Sequence, residues 1–206
     1  MTKIKICGLF RPCDIDFVNE AKPDYIGFIL NFPKSHRNLT VEQAAGLKQH
    51  LAADIKAVGV FVDQVPETVL TAAEVIGLDV IQLHGHESSA YITDLKGKTA
   101  LPVWKAFKIR STDDLADAED SPADDVILDN GYGTGTVFNW SYAASFSRPF
   151  ILAGGLTPEN IPEAIETLQP KLLDISSGVE TDKVKDREKI FAAVRAARKV
   201  TAAKGG

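Results

Sequence analysis

The sequence predicts a single-domain (β/α)8 barrel, the TIM-barrel class, over residues 1–206. Three observations carry that expectation. Short segments rich in Ile, Val, Leu and Phe recur roughly every 20 to 30 residues, the repeat length of a βα unit. Eight of them can be placed in the chain with helical patterns between several, and so many alternations in 206 residues favour a closed barrel over an open doubly wound sheet. The composition is 45% hydrophobic and 25% charged, enough for one sizeable core.

Strands are expected at residues 3–8, 25–30, 56–62, 80–84, 102–107, 125–129, 149–153 and 171–176. The first helix is expected at 14–21. The second, 41–52, is entered through a capping box in which Thr40 is the N-cap and Gln43 stands three residues on. A third, 66–76, has Pro66 in its first turn and Gly77 as its stop. Thr157, Pro158 and Glu159 read as N-cap, first-turn proline and acidic first turn of another helix. The last, 186–200, carries Ile190, Phe191, Val194 and Ala197 at helical spacing. The stretches after Phe107 and Gly135 have the weakest helical patterns. The acidic run from Asp113 to Asp125 reads as a solvated face, and residues 201–206 as a frayed tail.

Several function classes are disfavoured. The net charge is −5 and no basic patch is interleaved with aromatics, which predicts no nucleic-acid partner. No apolar run is long enough for a bilayer, and the first residues lack a signal-peptide core, so a cytoplasmic protein is expected. Cys7 and Cys13 make no disulfide framework, which fits a reducing compartment, and their spacing with no second Cys/His pair predicts no metal site.

In a barrel of this class the active site lies at the C-terminal strand ends. Alternation along the first strand puts Lys3, Lys5 and Cys7 inside and Ile4 and Ile6 under the helices. A thiol, with an ordinary pKa of about 8.5, can be tuned into a base; Cys7 also suits a small buried apolar position. Arg37, after the second strand, is either a bidentate clamp for an anion or a solvated charge. Gln82 and His84 share the inward face of the fourth strand, and His84 is a candidate ligand contact or a structural histidine. On the sixth strand Ile127 and Asp129 point inward, so Asp129 is a carboxylate at the barrel mouth suited to general-acid work. Gly131, Gly133 and Gly135 follow it as a possible anion-binding rim. The loops after strands seven and eight, Gly154-Gly155 and Ser177-Gly178, occupy the usual phosphate position of the fold, where backbone N–H groups need no basic side chain.

Taken together these stretches resemble the phosphoribosylanthranilate isomerase family of tryptophan biosynthesis. The resemblance lies in Lys5-Ile6-Cys7-Gly8-Leu9, Ser35 to Arg37, Gln82-Leu83-His84-Gly85, Leu128-Asp129 with Gly133-Thr134-Gly135, Phe138 and Trp140, Ala153-Gly154-Gly155-Leu156, and Ser176-Ser177-Gly178-Val179-Glu180. It implies a cofactor-free Amadori rearrangement of N-(5-phosphoribosyl)anthranilate. Asp129 would be the general acid, Cys7 the general base and Arg37 the holder of the anthranilate carboxylate. The glycine loops would hold the phosphate. The partner implied is a phosphorylated small molecule, and the chain is expected as a monomer or homodimer. Phe10, His36, Tyr132 and Asn139 depart from the family's usual residues. Two other readings stay open at this point. One is a sister barrel, such as the equivalent isomerase of histidine biosynthesis or a pentose-phosphate epimerase. The former typically has a carboxylate where Cys7 stands, and the latter uses a metal-binding His/Asp pattern not found here. The other is a non-catalytic barrel that binds a phosphorylated ligand.

Overall fold

The computed structural model describes residues 2–129 and 140–203. Its centre is a parallel barrel of eight strands: β1 (Lys3–Cys7), β2 (Tyr25–Leu30), β3 (Lys56–Phe61), β4 (Val80–Leu83), β5 (Val103–Lys108), β6 (Asp125–Asp129), β7 (Phe150–Ala153) and β8 (Leu172–Ile175). Each strand pairs in parallel with the next, and β8 returns to β1 in the register Lys3 with Leu172 and Lys5 with Asp174. Closure removes both sheet edges. Among the described residues eight α-helices alternate with the strands: α1 (Pro12–Ala21), α2 (Val41–Lys48), α3 (Pro66–Ile76), α4 (Ser89–Lys98), α5 (Leu115–Glu119), α6 (Trp140–Ala143), α7 (Ile161–Leu168) and α8 (Arg187–Ala203). Asn38–Leu39 extends the sheet beside β2, and Glu180–Thr181 pairs antiparallel with Val184–Lys185 before α8.

The period of two along each strand divides the core into two layers. Ile4, Ile6, Ile81, Leu83, Val126 and Leu128 face outward into the layer shared with the helices. Tyr25, Val58, Val80, Trp104, Ile127, Ile151 and Leu172 fill the barrel itself. The parities expected for β1, β4 and β6 are those observed, and they leave Cys7, Gln82 and Asp129 on the inner face. Lys5 lies in that interior with no exposed surface.

Strand bounds match expectation to within a residue or two, since periodicity locates a strand better than its ends. The helices differ more. The Thr40 and Gln43 capping box is formed in both directions, at 3.3 and 2.9 Å, but α2 stops at Lys48, four residues early. Gln49 keeps a helical backbone, after which His50 and Leu51 tighten into i→i+3 turns. Residues 157–160 form a turn that leads directly into α7: the Thr157 carbonyl accepts from the Ile161 N–H at 3.2 Å, while the Asn160 side chain accepts from the Thr157 N–H and donates to the Gly155 carbonyl, so the regular helix begins at Ile161. Helix α4 was not anticipated. Its N-cap is Ser88, which accepts from the Tyr91 N–H, and it buries only Ile92 and Leu95, too sparse an apolar stripe to stand out in the sequence. The expected acidic face is only partly free: Asp114 accepts from the Arg110 and Ser111 N–H groups and Asp124 pairs with Lys96.

Gly178 holds the last two barrel loops together. A Cβ built there would stand 1.8 Å from the Leu156 carbonyl oxygen, so only glycine lets the loop after β8 lie against the loop after β7. Gly178→Ala is therefore expected to cost about 1–3 kcal/mol of stability by forcing the two loops apart, as read by urea unfolding of wild type and variant.

Candidate active site

The C-terminal strand ends enclose a cavity of about 340 Å3. Cys7, Arg37, His84, Asp129, Gly154, Gly155 and Ser177 line it. Of the described catalytic and binding residues anticipated from sequence, only Gly178 stands outside the lining, at the loop contact described above. The rim residues Gly131, Gly133, Thr134 and Gly135, with Tyr132, Phe138 and Asn139, lie outside the described residues.

Cys7 ends β1 on the inner face, buried. Across from it is Gly27 on β2, where a Cβ would meet the Cys7 sulfur at 2.7 Å and Lys5 Cε at 3.0 Å. The space for both side chains thus exists because position 27 has none. Burial pushes the thiol up and outweighs the Lys5 charge, which pulls it down; Asp174 pushes it further up. Lys5 thus favours the thiolate, but the net result is a raised thiol. Lys5 is largely committed elsewhere: its Nζ donates to Asp174 Oδ2 at 2.7 Å and to Gln82 Oε1 at 2.8 Å.

Arg37 reaches the cavity wall with one edge of its fork occupied. Its Nε and Nη2 donate to Glu180 Oε1 and Oε2, each at 2.6 Å, and Lys185 Nζ donates to Glu180 Oε1 at 2.7 Å. Lys185 also donates to the Ser176 carbonyl at 2.9 Å. The hairpin around residues 180–185 therefore orients Arg37 and anchors the loop after β8. Burial alone would raise the Glu180 carboxyl, but the Arg37 hydrogen bonds and the Lys185 charge overturn that and hold it at about 2. Two of the departures from the family's usual residues touch each other here: the Phe10 and His36 rings meet edge to face at 6.2 Å, and His36 Nε2 lies 3.1 Å from the Lys183 carbonyl.

On the opposite wall His84 Nε2 lies 3.3 Å from Asp129 Oδ2, and His84 Nδ1 is 3.2 Å from Gln82 Nε2. Asp129, at the end of β6, is mostly but not fully buried. Gly154 and Gly155 have φ of +89° and +67°, the region glycine enters without strain, and with Ser176 and Ser177 they line the cavity. Glycine loops of this kind suit an anion, since no Cβ keeps it from the backbone N–H groups.

Sequence reasoning missed Asp174, Glu180 and Lys185 as site residues. The signal for Asp174 was available: a charge between Leu173 and Ile175 at the same parity as buried Leu172 belongs inside the barrel. Glu180 and Lys185 act through a hairpin that has no sequence signature. Among the described residues, no group of His, Cys, Asp and Glu is placed to hold a metal ion, and no helix is long and apolar enough to cross a membrane. A larger hollow, about 520 Å3, opens among Lys3, Tyr25, Trp104, Asp125 and Lys171 at the N-terminal strand ends. Its Lys171 and Asp125 pair with each other, so it lacks the convergent acid, base and glycine loops of the smaller cavity.

Residues 4–196 match the model of the N-(5′-phosphoribosyl)anthranilate (PRA) isomerase family. The chain belongs to that family. It is 45% identical to an N-(5′-phosphoribosyl)anthranilate isomerase of Thermoanaerobacter sp. (strain X514), over 92% of this chain and 95% of the relative. It is 40% identical to the one of Endomicrobium trichonymphae, over 95% and 98%. Among solved structures, the phosphoribosyl anthranilate isomerase of Thermotoga maritima superposes with a TM-score of 0.88 at 32% identity, covering 97% of this chain and all of that one. Another isomerase of the family, crystallised with reduced 1-(o-carboxyphenylamino)-1-deoxyribulose 5-phosphate, superposes with a TM-score of 0.86 at 31% identity, over 97% of this chain and 100% of that one.

Two measurements test the electrostatics of this family member's site. Thiol titration in an Asp174→Asn background should give a higher Cys7 pKa once Lys5→Met is added, since the cation that favours the thiolate is gone; an unchanged value would remove Lys5 from the account. The depressed Glu180 carboxyl contributes stability that is fully present above its ordinary value near 4.5 and is lost as pH falls toward 2. The stability advantage of wild type over Glu180→Gln, measured by urea unfolding across that range, is expected to shrink with falling pH.

Proposed function

We propose that this chain catalyses the Amadori rearrangement of N-(5-phosphoribosyl)anthranilate to 1-(2-carboxyphenylamino)-1-deoxyribulose 5-phosphate in tryptophan biosynthesis, with Asp129 as general acid and Cys7 as general base. The observation that carries the reading is the convergence of Cys7, Asp129, Arg37 and the Gly154-Gly155 and Ser177 loops on one cavity in a chain of this family. No cofactor enters the scheme.

The chemistry follows from what each group can do. Asp129 gives a proton to the ring oxygen of the aminoribose as the C1′–O bond breaks, and the nitrogen lone pair forms an iminium. The iminium acidifies C2′–H, and the Cys7 thiolate removes that proton to give an enolamine. Protonation at C1′ and loss of the enol proton leave the ketone, so the sum is an isomerisation. The reactive form is thiolate plus carboxylic acid, which holds one proton between the two groups. Thiol plus carboxylate holds the same number, so a raised thiol does not require a net proton change for the active form to appear.

The rest of the site serves binding. Glu180 occupies the Nε/Nη2 edge of Arg37, so the substrate carboxylate meets the guanidinium at Nη1, beside a fork already held in place. The phosphate rests on the backbone of the loops after β7 and β8, which tolerates a dianion despite the net charge of −5. The two free thiols suit a reducing cytoplasm. Monomer and homodimer are both compatible with the neighbours, one of which is described as monomers generated from a dimeric isomerase.

A fluorescence assay following loss of the anthranilate substrate tests the reading. Cys7→Ala and Asp129→Asn are each expected to lower turnover by about 10²–10⁴-fold while far-UV circular dichroism stays unchanged. Near wild-type turnover in a folded Cys7→Ala variant would remove Cys7 as the base.

A further inference from the structure

A chain of hydrogen bonds, ended by one close N···O approach, crosses the barrel from the base side to the acid side. Asp174 Oδ2 accepts from Lys5 Nζ at 2.7 Å, and the same ammonium donates to Gln82 Oε1 at 2.8 Å. Gln82 Nε2 is 3.2 Å from His84 Nδ1, and His84 Nε2 is 3.3 Å from Asp129 Oδ2. Lys5 and Gln82, the central links, are buried, and Lys5 comes from β1 while Gln82 comes from β4, so the middle of the chain is held away from water.

The Lys5 ammonium decides the direction of the bonds through Gln82. An ammonium has donors and no acceptor, so the group of Gln82 that faces it is the carbonyl oxygen. The Gln82 amide nitrogen then faces His84, and an amide NH2 can only donate. His84 Nδ1 must therefore be a bare lone pair, which places the ring proton on Nε2, the nitrogen 3.3 Å from Asp129 Oδ2. A proton on Nδ1 would set two donors against each other at 3.2 Å.

We propose that His84 is a positioning residue for Asp129: Gln82, pinned by Lys5, fixes it as the neutral Nε2–H tautomer, and that N–H holds the Asp129 carboxyl toward the substrate. This matters for an acid. A cationic histidine at the same distance would favour the carboxylate and draw off the proton that Asp129 has to deliver. A neutral N–H donor orients the carboxyl, leaves it able to carry a proton, and still receives the carboxylate once the proton has gone. The sequence offers His84 as a ligand contact or a structural histidine; it lines the cavity, and its neighbours add a role toward the acid. The proposal rests on Asp129 being the general acid.

Proton-detected nitrogen-15 NMR of histidine-labelled protein at neutral pH tests the tautomer without reference to activity, with the His84 resonances assigned by their loss in His84→Gln. The expected spectrum has Nε2 protonated and Nδ1 bare. Protonation of Nδ1, alone or together with Nε2, would overturn the proposal. In Gln82→Glu the new carboxylate accepts from Nδ1, so His84 should show both nitrogens protonated. In that variant and in Gln82→Met, kcat should fall by roughly tenfold or more, within the range a general acid supplies, while KM changes little. Unchanged kcat in both folded variants would sink the positioning role. Full activity of Asp129→Asn would instead sink the acid assignment, and the spectrum would still read the tautomer.

Discussion

The Lys5 ammonium is the point on which the interior depends. It has no exposed surface, and it is bound simultaneously to Asp174 and to Gln82. A buried charge persists only when its partners nearly offset the desolvation it suffers. Here Asp174 does so well enough to leave the lysine raised despite burial. The pair carries consequences outward in two directions. On one side Lys5 sits beside Cys7 and moderates the effect of burial on the thiol. On the other it fixes which end of Gln82 points where, and through Gln82 the orientation of His84. Removing the cation would leave Asp174 as an uncompensated carboxylate and free Gln82 to flip.

A second ionic cluster does the equivalent work at the rim. Glu180 is shared by Arg37 and Lys185, and Lys185 in turn holds the Ser176 carbonyl. One carboxylate thereby couples the loop after β2 to the loop after β8. Both clusters place cations near the cavity in a chain of net charge −5, which is how an acidic protein can present a local welcome to an anionic ligand. Burial depresses Lys185 in spite of Glu180, a sign that this rim is dry enough for its charges to act strongly on one another.

The barrel was legible in the sequence because parallel strands covered on both faces must be apolar on both, and runs such as Val126-Ile127-Leu128 announce that. The period of two then assigned Cys7, Gln82 and Asp129 to the interior from residue order alone. Helix α4 was not legible, since two buried residues make no stripe, and the end of α2 was not, since Lys48, Gln49 and His50 favour helix and turn alike. Asp174 went unread although its position between Leu173 and Ile175 marked it. Glu180 and Lys185 were unreadable in principle: the strands that bring them to Arg37 are two residues long, and the contact joins positions 143 residues apart.

The sequence alone determined the alternation of strands and helices, the face each strand turns inward, and the types of residue standing at the strand ends, because these follow from local periodicity and from glycine's freedom. Tertiary structure decided the partnerships. Whether Arg37 meets an anion with its whole fork or with one edge, whether Lys5 serves Cys7 or Asp174, and which nitrogen of His84 carries the proton all depend on groups from different strands arriving within about 3 Å of one another. That information exists only once the barrel has closed.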